Sequence, residues 1–154
     1  MINVNLVQIE CKECGRYVSK WKPNLTLCGK CDPLAKKKIQ EEEVFYLLEK
    51  HDYIFIHDKV IRNQEIHKYR PDFLLQFDTY YLILEVDERG HKAYKLDHEE
   101  HRMHCIRKSL DMPVKFIRYN PDHKDSNTDI LLETLKIESS RTVLTDTDPI
   151  YLFY

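Results

Sequence analysis

The cysteine spacing is the strongest constraint on what this 154-residue chain can fold into. Four of its five cysteines form two C-x-x-C pairs, Cys11 with Cys14 and Cys28 with Cys31, with 13 residues between the pairs. Two such knuckles offer four soft thiolates, the tetrahedral set that Zn²⁺ prefers. Gly15 and Gly29 each follow a cysteine directly. Glycine there lets the backbone turn tightly enough to aim sulfurs and amides at one ion. A redox C-x-x-C would need only one pair. Residues 1–33 therefore read as a small module stapled by a structural zinc, because a segment this short has too little core of its own.

This cysteine usage, with no signal-peptide pattern, implies a reducing, intracellular setting in cytoplasm or nucleus. No run approaches the roughly 18 consecutive apolar residues of a membrane span, so no membrane is expected. The net charge of −2 hides an asymmetry. Residues 1–40 hold eight Lys/Arg against three acids, giving +5, and the remainder carries −7. A basic arm on an acidic body suits an arm that meets a polyanion and a body whose carboxylates hold a cation. Arg16, Lys20 and Lys22, with Trp21 beside them, are the DNA-contacting candidates of the arm. Lys36, Lys37 and Lys38 read equally well as a solvated first helical turn.

The chain beyond the cysteines alternates helical and extended patterns. Residues 1–9 read as a short strand or loose end. Residues 34–50 have good helix formers and no Gly or Pro. A strand is expected at 53–61, and a strand pair at 71–77 and 80–87. Leu96, Met103, Ile106 and Leu110 fall on one face of a 3.6-residue repeat, predicting a helix over 95–110. A strand over 113–122 stopped by Asn-Pro, a helix at 128–139 and a closing edge strand in "PIYLFY" complete the order. That order predicts an α/β fold, a mixed sheet with helices on its faces, occupying residues 34–154. Cys105, inside the second helix, reads as an ordinary core thiol.

One strand carries an anomaly. In "YYLILEVDERGH" an apolar run ends in Glu85 and Asp87, which point to the same face of the strand. Asp72, just before the partner strand, can reach that face too. Like charges among apolar neighbours repel and lose hydration, unless something positive sits between them. A hard cation such as Mg²⁺ answers this, with Asp72, Glu85 and a backbone carbonyl between Glu85 and Asp87 as its shell. His91, just past the turn, can relay a proton near neutral pH. Equally, Glu85 and Asp87 fit a solvated strand face and His91 an ordinary loop.

"RPDFLL…YLILEVDERGH" resembles the PD-(D/E)xK nuclease superfamily, and within it the branch of the very-short-patch mismatch repair endonuclease and the EDxHD homing endonucleases. Pro71-Asp72 matches the proline-aspartate pair and Glu85 the acid of the (D/E)xK element. At the lysine position the chain has Asp87, followed by His91, which departs from the ordinary motif and agrees with the E-x-D-x-x-x-H variant. Tyr94, Glu99 and Arg102 resemble the branch's Y…E-x-x-R helix, although an i,i+3 ion pair would explain the last two equally. "FIRYNPD" with the final "YLFY" resembles proteins of large DNA viruses, whose setting would be an infected host cell.

The resemblance covers roughly residues 40–154 and implies a restriction-endonuclease-like fold and a phosphodiester hydrolase acting on DNA. It implies catalytic Mg²⁺ on Asp72 and Glu85, with Mn²⁺ as a substitute. Asp87 and His91 would handle the water or the leaving oxygen. Of the first helix's three acids, Glu41, Glu42 and Glu43, which helical spacing does not separate cleanly, Glu43 is the chosen one. Arg70 and Arg102 are expected phosphate contacts. DNA is the implied partner; a homodimer is compatible with all of this. Two rivals remain on the residues alone: a nuclease fold that binds DNA without cutting, favoured by the missing lysine, and a zinc-module adaptor for a protein partner.

Overall fold

The structure, a computed structural model, describes residues 7–20, 26–28, 31, 39–62, 68–88 and 96–154, without the side chains of Val7, Val18, Ser19, Lys20 and Leu96. The chain divides into two compact units, Met1–Ile39 and Gln40–Tyr154; the boundary expected after residue 33 lies outside the described residues. No described helix is long and apolar enough to cross a membrane.

The first unit contains a hairpin of β1 (Val7–Glu10) and β2 (Tyr17–Lys20), paired antiparallel from Val7 opposite Lys20 to Glu10 opposite Tyr17. Sequence periodicity misses β2, because its four residues are too few to show alternation against the flanking cysteine turn.

The second unit is α/β, with a mixed five-stranded sheet flanked by helices. Its elements are α1 (Ile39–Lys50), β3 (Ile56–His57), β4 (Ile61–Arg62), β5 (Lys68–Tyr69), β6 (Phe73–Gln76), β7 (Tyr81–Val86), α2 (Leu96–Ser109), β8 (Val114–Tyr119), α3 (Thr128–Ser139) and β9 (Ile150–Leu152). Of the helix predicted over 34–50, residues 34–38 lie outside the described residues. The sheet runs β3-β6-β7-β8-β9, antiparallel through β7 and parallel from β7 onward. The strand predicted over 53–61 is interrupted. Asp58 takes a left-handed backbone (φ 54), which ends β3, and Ile61–Arg62 turns away to pair with β5 in a separate ladder.

β7 is central, and all six of its residues are buried, as a strand covered on both faces must be. The four-residue connection Phe77–Tyr80, across which Phe77 N–H donates to the Tyr80 carbonyl at 2.9 Å, returns β6 into β7. Alternate β7 residues serve opposite cores. Leu82, Leu84 and Val86 pack with Val44 and Leu48 of α1 and Leu131 and Leu135 of α3. Tyr81 and Ile83 pack with Met103 and Ile106 of α2 and Phe116 of β8. Each fully buried leucine or isoleucine contributes about 1.5–3 kcal/mol by leaving water. α3 starts at Asn127, whose side chain accepts the Asp129 N–H at 2.7 Å, and buries Leu131, Leu135 and Glu138 as one stripe. The period-2 row on the α2 face runs Tyr81, Ile83 and then Glu85, so the first acid continues an apolar row.

Candidate functional site

The four paired cysteines converge in the first unit. Cys11 directly follows β1, and the turn to β2 closes with Cys11 N–H donating to the Arg16 carbonyl at 2.8 Å and Gly15 N–H to the Cys11 carbonyl at 2.9 Å. Gly15 sits at φ +70, a conformation that glycine adopts without steric cost. The second knuckle meets the first where Lys12 N–H donates to the Thr26 carbonyl at 3.0 Å. All four sulfurs lie within 4.8 Å of one another, and those of Cys14 and Cys28 are 3.7 Å apart. Hydrogen bonds from the Cys14 amide, then the Cys28 amide, pull the Cys11 thiol down to about 6. Hydrogen bonding to Cys28, followed by burial, pushes Cys31 up to about 12. Crowded thiols resist losing all four protons until a cation balances the charge. This cluster can hold a metal ion and is compatible with zinc.

The acidic end of β7 is not a solvated face, because Glu85 and Asp87 are both buried. Two arginines supply the positive charge that the sequence argument assigned to a cation. Arg102 of α2 forms an ion pair with Glu85 and also donates to the Arg70 carbonyl at 3.2 Å. Arg118 of β8, opposite Glu85 in the parallel register, donates to Asp87 from Nε at 2.7 Å and Nη2 at 2.9 Å, and to Glu99 from Nη1 at 2.5 Å. The Tyr154 hydroxyl also donates to Asp87. Burial raises the Glu85 pKa, and the Arg102 charge offsets this in part. Burial works against the Arg118 cation, but its bonds to Asp87 and then Glu99 hold its pKa above the ordinary value.

Asp72 joins three strands. Its N–H donates to Glu85 Oε2 at 3.2 Å, its Oδ2 accepts Val86 N–H at 2.8 Å, and its carbonyl accepts Asp58 N–H at 3.0 Å. Asp72 and Glu85 are therefore neighbours, as expected. Among the described residues, however, Asp72, Glu85 and Asp87 do not form a group of three with converging ligand atoms.

Several expected positions change. Glu43 is exposed, and Glu41 is the buried acid of that triplet, on the stripe with Val44 and Leu48. Two helical residues amount to about 200° of rotation, which turns Glu43 away from that stripe. Glu41 Oε1 lies 2.7 Å from His57 Nε2. Glu99 and Arg102, readable as an i,i+3 pair, each turn to the sheet instead, toward Arg118 and Glu85. Cys105 is half-buried, 3.5 Å from His101 Nε2, because it lies beside the Met103–Ile106 stripe rather than on it. Arg16 and Arg70 are exposed. Trp21, Lys22, Gly29, His91 and Tyr94 lie outside the described residues, as does the side chain of Lys20. Glu41 is a sequence candidate beside Glu42 and Glu43 but not the one chosen, and His57, Asp58, Arg118 and Tyr154 are not among the candidates. Arg118 did leave a signal: it continues the alternate row Val114 and Phe116, which is otherwise apolar, on one face of β8.

Comparison of the chain with protein-family models, curated proteins and solved structures finds no match.

Proposed function

We propose that this protein is a metal-dependent DNA endonuclease whose first unit holds a structural Zn²⁺. The observation that carries the reading is the reciprocal lock between Asp72 and Glu85. Each carboxylate accepts a backbone N–H from the other's strand, so two hard-oxygen groups are held side by side at one end of a mixed sheet. That donor chemistry fits Mg²⁺, which takes one or two carboxylates and completes its shell with water. Asp72 and Glu85 would hold it. When bound, such an ion lowers the pKa of a coordinated water and offsets charge on the scissile phosphate.

The remaining roles fall to the chain's own groups. Asp87, fixed in orientation by Arg118, holds a proton-accepting carboxylate two residues beyond Glu85. Arg102 beside Glu85 and exposed Arg70 are suited to DNA phosphates, Arg102 through its planar fork. His91 keeps the proton-relay role that the resemblance implies. In the first unit, Arg16 and its lysine neighbours would grip the backbone electrostatically.

A second reading has its own observation. Arg102 and Arg118 already neutralise Glu85 and Asp87 inside the fold, as expected of a nuclease-like domain that binds DNA without cutting it. Supercoiled plasmid with Mg²⁺ or Mn²⁺ separates the two. Nicked or linear product that EDTA prevents supports the endonuclease. Salt-sensitive binding with no product on duplex, mismatched, branched or single-stranded DNA supports the second. Neither binding nor product rejects both and favours a protein-adaptor role.

A further inference from the structure

Within the second unit, Glu41, His57 and Asp58 bring three metal-ligating atoms together, all within 4.8 Å of one another. We propose that they form a second cation site, for a divalent transition ion of the Mn²⁺, Fe²⁺ or Zn²⁺ class. The site does not depend on the endonuclease reading.

The donor set decides the class. One imidazole nitrogen with two carboxylates is softer than the all-oxygen shell that Mg²⁺ takes, and three protein ligands leave positions open for water or a phosphate oxygen. The spacing is compatible. Cis ligands about 2.1 Å from one ion sit about 3 Å apart. Here His57 Nε2 is 2.7 Å from Glu41 Oε1 and 3.9 Å from Asp58 Oδ2, so small side-chain rotations suffice.

The ligands are also preorganised. The His57 ring stacks on Phe73 with centroids 5.0 Å apart and meets Phe45 edge-on at 5.4 Å, which fixes the direction of Nε2. Asp58 is tied to the neighbouring strand by its N–H, which donates to the Asp72 carbonyl at 3.0 Å. The Glu41 side chain is 6% exposed, while those of His57 and Asp58 are 35% and 42% exposed, so an ion would enter from the β3 side. A simple His–Glu hydrogen bond accounts for one contact. It does not account for the third donor beside the same nitrogen.

The test is a Mn²⁺ titration of the full-length protein carrying one Zn²⁺ per chain, enough for the cysteine site alone, with free Mn²⁺ read by electron paramagnetic resonance. Glu41→Gln and His57→Gln should each lose one Mn²⁺ equivalent that Glu85→Gln retains, or weaken it at least tenfold, and tenfold excess Mg²⁺ should not displace it. Circular dichroism checks folding, and the half-exposed Asp58→Asn serves if the buried Glu41→Gln does not fold. Equal Mn²⁺ stoichiometry and affinity in the parent and these variants would overturn the site. Because binding is read without cleavage, a protein that never cuts DNA gives the same answer.

Discussion

Arg118 grips Asp87 through two parallel hydrogen bonds, Nε to Oδ2 at 2.7 Å and Nη2 to Oδ1 at 2.9 Å, with both side chains nearly excluded from solvent. The residues are 31 positions apart and meet because β7 and β8 run parallel, with Glu85 opposite Arg118 and Val86 opposite Tyr119. A buried pair of this geometry gains little over a hydrophobic replacement, but it makes the loss of either partner costly.

Replacing that guanidinium should therefore be among the most damaging single changes. Arg118→Met strands the Asp87 carboxylate in the interior and is expected to destabilise the protein by about 3–5 kcal/mol. Tyr154→Phe removes only a supplementary donor to the same carboxylate and should cost about 1 kcal/mol. Urea unfolding of both variants checks the ranking; equal losses would mean that Arg118 is not the principal partner of Asp87.

Glu85 should leave a mark on the pH dependence of stability. Burial raises its folded pKa above the ordinary 4.5. Between those two values the folded chain binds more protons than the unfolded chain, so this group's contribution falls as pH rises through the interval. Glu85→Gln removes the group, and the stability profile upward from 4.5 should become flatter than the parent's. An unchanged or steeper fall in the variant contradicts this assignment.

Asp72→Asn tests chemistry apart from fold. The amide oxygen can still accept Val86 N–H, and the backbone N–H of residue 72 can still donate to Glu85. Stability should change by about 1 kcal/mol or less. Under the endonuclease reading, turnover should vanish while DNA affinity holds or rises, since one negative charge is gone. Cleavage at the parental rate would remove Asp72 from the metal site.

The two units should fail separately when the cysteine site is lost. Chelation, or Cys28→Ser with Cys31→Ser, should abolish the hairpin order of the first unit, because metal binding supplies folding energy that so small a unit lacks. The sheet of Gln40–Tyr154 should keep its amide dispersion in nuclear magnetic resonance spectra. DNA affinity should weaken and its salt dependence become shallower as phosphate-facing cations of the arm are lost. Total loss of cleavage at saturating DNA in a folded variant would instead tie the cysteine unit to the chemistry.

What the sequence determined by itself was local and periodic. The apolar run of β7, the helix Thr128–Ser139 with its Asn127 cap and the paired cysteines are set by neighbours a few residues apart. Each could be read from a 2-residue or 3.6-residue period or from ligand spacing. The adjacency of Asp72 and Glu85 was legible for the same reason, since one short hairpin joins their strands. Tertiary structure alone decided which charges meet. Glu41 rather than Glu43 faces the core, because the helix is rotated by its packing on the sheet. The extended stretch after Tyr53 breaks at Asp58, where the backbone turns left-handed and the chain leaves β6 to pair with β5 from Ile61. Asp87 finds Arg118, and Glu99 and Arg102 take different partners, because strand register and helix docking bring distant residues together. An acidic strand announces that positive charge must be near. Whether a cation or an arginine supplies it depends on contacts that no local pattern encodes.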